Sequence, residues 1–154
     1  MSSRIASLVS SGFGSGYAPK APGTFGTVAA AVVWLALSWA GALASVEAQW
    51  ACAVVTIVLG TLAIRLSLGA NSAKDPQWIV IDEWAGLFVA LVGVNWRVGW
   101  QVLLAVILFR IFDISKVGPI RSAERLPGAV GIMADDVVAG VFALLGMIAA
   151  RYVV

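Results

Sequence analysis

Residues 29–44 read AAAVVWLALSWAGALA, and no charged residue occurs between Lys20 and Glu47. An uncharged apolar run of this kind approaches the ~20 residues that a helix needs to cross bilayer hydrocarbon, and it predicts a first membrane helix. A second run, AQWACAVVTIVLGTLAI at residues 48–64, is bracketed by Glu47 and Arg65, so the two segments form a tight helical hairpin around residues 44–49. Two later runs, at residues 84–96 and 98–109, are too short alone to cross ~30 Å at 1.5 Å per residue. They reach spanning length only by taking in polar flanks. Residues 79–95 would include Asp82 and Glu83, and residues 98–115 would include Arg110 and Asp113. A fifth segment runs from Asp136 to about residue 153.

The composition agrees. Of 154 residues, 61% are apolar and 12% charged, with a mean hydropathy of +0.97, whereas a soluble domain carries about 25% charged residues. The expected fold is all-α: a small polytopic membrane bundle of about four to five membrane helices whose cytoplasmic loops form the site. Neither a repeat nor a long linker divides the chain, so residues 1–154 are expected to be a single domain. Residues 10–22 are rich in Gly, Ser and Pro rather than apolar, so no cleaved secretory signal is expected. With a cytoplasmic N-terminus, Arg4, Lys20, Arg65, Lys74, Arg110, Lys116, Arg121 and Arg125 fall inside and only Arg97 and Arg151 outside, which fits the bias of membrane proteins for basic cytoplasmic loops. All seven tryptophans (Trp34, Trp39, Trp50, Trp78, Trp84, Trp96 and Trp100) fit interfacial anchoring. No nucleic-acid partner is expected, and the oligomeric state is not legible.

The chain has no histidine, which removes imidazole bases, His metal ligands and phosphohistidine chemistry. Its one cysteine, Cys52, excludes an internal disulfide and a multi-cysteine zinc site. Eight acids remain. In the expected topology Asp82 and Glu83 open the third segment, Asp113 closes the fourth, and Asp135 and Asp136 open the fifth, all at the cytoplasmic rim. Asp75 and Glu124 share that side, and Glu47 is opposite. Carboxylates at a membrane rim cost several kcal/mol unless they face a cavity, a partner or a metal. The helix macrodipole accounts for acids at helix starts but not for Asp113 at a helix end, where Arg110 three residues earlier is a partial counter-charge. A carboxylate set without His or Cys suits a hard cation, Mg²⁺ when the substrate carries phosphate. Beside it, Lys116, Arg121 and Arg125 offer an anion site, the pairing that phosphoryl chemistry needs.

Four segments carry this chemistry. Residues 12–27 read GFGSGYAPKAPGTFGT, an irregular glycine- and proline-rich turn leading into the first membrane helix, whose free amides suit phosphate. Residues 74–86 read KDPQWIVIDEWAG. Adjacent Asp82 and Glu83 point about 100° apart on a helix, so they share one metal only near the helix end, or hold two cations between them. Residues 109–120 read FRIFDISKVGPI, with Arg110 and Asp113 on one face. Residues 124–140 read ERLPGAVGIMADDVVAG, in which Pro127, Gly128 and Gly131 predict a mobile loop before the acidic pair.

Taken together, from Gly12 to Gly140, these segments resemble the phosphatidylglycerophosphatase A family of bacterial lipid phosphatases. The resemblance rests on the early glycines with Pro22, Gly23 and Thr24; on Lys74, Asp75 and Pro76 followed by Asp82, Glu83 and Gly86; on Phe109, Arg110, Asp113, Lys116, Pro119 and Ile120; and on Gly128, Gly131, Ile132, Met133, Asp135, Asp136, Ala139 and Gly140. Val117, Gly118 and Ala129 depart from the family pattern. The resemblance implies Mg²⁺-dependent hydrolysis of phosphatidylglycerophosphate to phosphatidylglycerol and phosphate, at the cytoplasmic face of the bacterial inner membrane. On that basis Asp82, Glu83, Asp113, Asp135 and Asp136 are expected to be catalytic and to hold one or two Mg²⁺ ions. Lys20, Gly23, Thr24, Lys74, Arg110 and Lys116 are expected to bind substrate. Asp136 or Glu83 is expected to accept a proton from the attacking water. A CDP-alcohol phosphotransferase would also use rim carboxylates, but its Asp-Gly-x-x-Ala-Arg signature is absent. A small cation transporter would place its acids at mid-bilayer rather than at one rim.

Overall fold

The computed structural model describes residues 3–68 and 76–152; Lys74 and Asp75 lie outside the described residues. Within that range all regular structure is helical. The elements are α1 (Ser3–Ser10), a short 3₁₀ turn (Ser15–Tyr17), α2 (Pro22–Trp39), α3 (Val46–Leu68), α4 (Ile81–Ala90), α5 (Gly99–Ser115), α6 (Pro119–Ala123) and α7 (Gly128–Arg151).

Helices α2, α3 and α7 are long and apolar enough to cross a membrane. Their outer faces carry Val28 and Val32, then Val54, Val55, Val58, Leu59 and Leu62, and Leu145, all exposed as lipid-facing side chains should be. The inward positions of α3 are mostly small, with Ala53, Gly60 and Ala63 buried. In lipid, where apolar surface gives no advantage to one partner over another, small residues let helix backbones approach closely. The hairpin between α2 and α3 is a Schellman turn: Gly41, at φ 81°, donates to Ser38 O at 3.1 Å and Ala42 donates to Leu37 O at 2.9 Å. Ser45 then caps α3 by accepting from Ala48 N at 3.2 Å.

The other two expected spans differ. α4 has ten residues, about 15 Å of helix, and cannot cross. Instead it is the centre of the bundle, with every residue except Glu83 buried and α2, α3, α5 and α7 packed around it. α5, at 17 residues, spans about 25 Å. The start of α4 is tied down by α1: Val80 N donates to Ser10 O at 2.9 Å, and the Ser10 and Ser67 hydroxyls share a hydrogen bond of 3.1 Å. At its far end, Gly93 N donates to Gln49 Oε1 at 2.6 Å and Arg151 donates to Gly93 O.

Several expectations are corrected. Pro22, Gly23 and Thr24 are not an irregular turn before the helix but its first turn, with Pro22 at a position where a proline lacks no needed N–H. Residues 128–131 are not a mobile loop; they open α7, because Gly131 brings the helix against the Leu126 carbonyl, 1.9 Å from where a Cβ would stand. Asp135 and Asp136 are therefore the eighth and ninth residues of α7, about 10 Å from its start, too deep for the macrodipole to account for them. Trp34 and Trp84 are not interfacial but buried in the core, 1% and 4% exposed. Trp39, Trp50, Trp96 and Trp100 remain at the end of the bundle away from the acids.

Candidate active site

The site is built where α4 begins, α5 ends and α7 passes. Backbone contact sets its geometry. A Cβ on Gly86 would lie 2.4 Å from Asp136 O, and one on Gly140 would lie 2.2 Å from Gly86 O, so α4 and α7 cross with no side chain between them. One turn above that crossing, Asp82 and Glu83 on α4 meet Asp136 on α7. A carboxylate oxygen from each lies within 4.8 Å of the other two. Asp82 and Glu83 converge because they stand in the first turn of α4, where the chain ahead of them leaves the face open. Asp82 Oδ1 also accepts from Glu83 N at 3.1 Å. Glu83 Oε2 is buried and has no hydrogen-bond partner among the described residues. Burial raises the Glu83 carboxyl above its ordinary range, against the opposing effects of the Asp82 hydrogen bond and the Arg110 charge.

Asp113 stands beside this trio but is engaged by Arg110, with which it forms an ion pair. The same guanidinium reaches across to α2, donating to Thr24 Oγ1 and Thr27 Oγ1 at 3.5 Å each; Thr27 in turn donates to Gly23 O at 2.8 Å. Gly23 faces Glu83 directly, with Glu83 Oε1 only 2.4 Å from where its Cβ would be, so any larger residue would push the carboxylate away.

Asp135 does not join the trio. Two turns inside a helix, it and Asp136 diverge by the same 100° rule that Asp82 and Glu83 evade at a helix start. It accepts from Lys116 Nζ at 2.7 Å, and Lys116 also donates to Glu124 Oε1 at 2.9 Å. Lys116 caps α5 in a left-handed conformation, φ 44°, which turns the chain and holds the ammonium over the cleft. Burial disfavours its charge, but the hydrogen bonds and negative charges of Asp135 and Glu124 outweigh that and hold the lysine above its ordinary range.

These groups line a cleft of ≈ 350 Å³, floored by the carboxylates, walled by Ala21 and the first residues of α2, Pro22 and Gly23, and by Gln77 and Ile79, and flanked by Lys116. Of the residues expected from the sequence, Asp82, Glu83, Asp113, Asp135, Asp136, Gly23 and Lys116 line it. Thr24 and Arg110 border it through the Arg110 hydrogen bonds. Lys20 is exposed and does not line the cleft, and Lys74 lies outside the described residues. Gln77, Ile79, Thr27 and Glu124 were not foreseen. Thr27, one helical turn after Thr24, carried a spacing signal that could have found it; nothing in the spacing of Glu124 pairs it with Lys116.

Three close carboxylates in a largely buried setting need a counter-charge. Offering oxygen only, with one buried carboxylate oxygen that lacks a hydrogen-bond partner among the described residues, they could hold a divalent cation of the hard class. Lys116 and Arg110 add anion-binding groups at the rim.

Comparison with known proteins agrees with this geometry. The family model for phosphatidylglycerophosphatase A matches residues 8–151. A protein of Bacteroides thetaiotaomicron, described as a candidate phosphatidylinositol-3-phosphatase, is 38% identical over 96% of this chain and 94% of its own length. A phosphatidylglycerophosphatase A of Haemophilus influenzae is 35% identical over 94% of this chain and 88% of its own. That of Escherichia coli is 36% identical over 87% and 76%. No solved structure matches the chain.

Proposed function

The chain belongs to the phosphatidylglycerophosphatase A family, phosphoric monoester hydrolases, and from that membership we propose that it removes the terminal phosphate of phosphatidylglycerophosphate, leaving phosphatidylglycerol, in a Mg²⁺-dependent reaction at the cytoplasmic face of the membrane. The observation that carries the proposal is the meeting of Asp82, Glu83 and Asp136 at the end of a membrane bundle, with Lys116 in the same cleft.

Asp82, Glu83 and Asp136 would hold the cation, with Asp113 adjacent. When bound, it supplies Lewis-acid polarisation of the phosphate and neutralises charge that builds up in the transition state. The protein's own groups do the rest. Lys116 uses two of its three N–H donors on Asp135 and Glu124, which leaves the third for a phosphate oxygen. Arg110, oriented by Asp113, has N–H groups to spare for the same anion. Whichever of Glu83 and Asp136 keeps an oxygen free of the cation would accept a proton from the attacking water. In-line attack breaks the bond between phosphorus and the head-group oxygen, and the proton taken from water passes to that oxygen as it leaves.

The orientation is supported by charge: Lys116, Arg121 and Arg125 lie at the site end, whereas Arg97 and Arg151 lie at the end that carries Trp39, Trp50, Trp96 and Trp100. A second reading has one observation in its favour, the name and high coverage of the Bacteroides relative: phosphatidylinositol 3-phosphate would present the same phosphomonoester on a larger head group. Phosphate release from phosphatidylglycerophosphate, phosphatidylinositol 3-phosphate and phosphatidic acid, with chelator and with Mg²⁺ restored, tests both. Release from the first that chelation stops supports the proposal; preference for the second lipid shifts it, and indifference to chelation rejects the metal assignment.

A further inference from the structure

One face of α5 is apolar, outward and continuous with the active site. Leu103, Ile107, Ile111 and Ile114 are 60%, 45%, 55% and 71% exposed. They follow one another at three- and four-residue spacing, which places them in a single stripe. A shallow groove of ≈ 470 Å³ lies on the part of this face nearest the site, lined by Val106, Ile107, Ile111 and Ile114 together with Arg110 and Ser115. Arg110 is therefore shared. Its aliphatic stem lines the groove while its guanidinium pairs with Asp113 and reaches Thr24 and Thr27. Those two hydrogen bonds, at 3.5 Å, are at the limit of such contacts, so an anion can displace them at little cost.

The length of the stripe is informative. From residue 114 to residue 103 a helix rises about 16 Å, close to the hydrocarbon depth of one leaflet, half of ~30 Å. A lipid whose acyl chain lay along the stripe would have its glycerol just past Ile114, within reach of the Arg110 guanidinium where it pairs with Asp113, and its terminal phosphate within the carboxylate cleft. Among the described residues, no basic side chain of α3 or α7 forms an ion pair with an acid of the cleft as Arg110 does.

We propose that α5 is the substrate's docking rail: the acyl chain of the lipid lies along Leu103, Ile107, Ile111 and Ile114, and Arg110 meets the charged part of the lipid where groove and cleft join. The proposal rests on the reading that the substrate is a phospholipid, and adds the path by which it is held without leaving the bilayer.

A phosphatidylglycerophosphate carrying a photoactivatable diazirine in its acyl chain, incorporated with the full-length protein in phosphatidylcholine vesicles, tests it without requiring turnover. Cross-links should concentrate on residues 103–114 and should diminish with excess unlabelled phosphatidylglycerophosphate but not with excess phosphatidylcholine. Labels spread equally over α2, α3 and α5, or insensitive to that competitor, overturn it. Kinetics give a second measure. Ile111→Trp should raise KM for the long-chain lipid by about five- to tenfold relative to the deacylated head-group compound, with kcat little changed, whereas Val58→Trp on the outer face of α3 should leave that ratio alone. Equal effects of the two substitutions also overturn the proposal. Competition-sensitive labelling of α5 in a protein that releases no phosphate would instead reject the proposed reaction and keep the rail.

Discussion

Gly86 and Gly140 touch through their backbones, the carbonyl oxygen of the first lying 2.2 Å from the point where a Cβ of the second would stand. Each is four residues after an acid of the site, Asp82 on α4 and Asp136 on α7. The contact therefore acts as a spacer of zero thickness that sets the distance between carboxylates one turn away.

Gly140→Ala and Gly86→Ala should accordingly reduce activity without removing any chemical group. A methyl forced between the helices should cost about 1–3 kcal/mol of stability and lower kcat at least tenfold by spreading the carboxylates. Thermal unfolding in detergent together with phosphate release checks both; a stable, fully active Gly140→Ala protein contradicts the account.

Asp82→Asn, Glu83→Gln and Asp136→Asn should each lower phosphate release by about 100- to 1,000-fold or more while the protein stays folded in the membrane. Circular dichroism beside the activity assay separates loss of chemistry from loss of structure.

The same cluster should weaken the resting protein. Glu83 has a folded-state value above its unfolded one, so its ionisation costs stability at neutral pH, and that cost fades as pH falls through the folded value. Without divalent cation, Glu83→Gln should therefore raise Tm by a few degrees at pH 7 and flatten the gain in stability that the wild type shows on mild acidification. A lower Tm for the variant at pH 7 would refute this. Such an exchange of stability for function is common at active sites.

Asp135 and Asp136 should fail differently. Asp135→Asn loosens Lys116 and should act mainly on KM, leaving cation affinity intact, whereas Asp136→Asn should abolish cation binding; calorimetric titration with Mg²⁺ or Mn²⁺ distinguishes them. Lys116 is held above the ordinary lysine value, so the stability its ion pairs give is fully present below ~10.4 and is lost only as pH rises through the higher folded value. Activity that falls between pH 8 and 10 must then have another cause, and Lys116→Arg should not shift it.

How far the sequence reaches is clear from particular residues. The uncharged runs within α2, α3 and α7 were legible because lipid demands length and apolarity from any helix it surrounds. The meeting of Asp82, Glu83 and Asp113 at one end of the bundle was legible from where the uncharged runs 84–96 and 98–109 stop. The depth of Asp136 was not, because Gly128 and Gly131 have the composition of a loop, whereas Gly128, at φ 62°, opens α7 and Gly131 lets it pass the Leu126 carbonyl. Nor was the separation of Asp135 from Asp136: adjacency in sequence suggested one site, and only their position well inside a helix sends one to the carboxylates and the other to Lys116. The helices α1 and α6, at eight and five residues, are too short for a pattern to stand out.

The shortness of α4 also bears on how the protein comes to be made. Ten residues carrying two acids cannot settle alone in hydrocarbon. Two of the helices that enclose α4, α5 and α7, follow it in the chain and reach the membrane after it during synthesis. The acidic pair has no finished pocket to occupy until α7, which carries Asp136, is in place. A chain interrupted before α7 would retain its first hairpin and lack the wall that Asp135 and Asp136 supply.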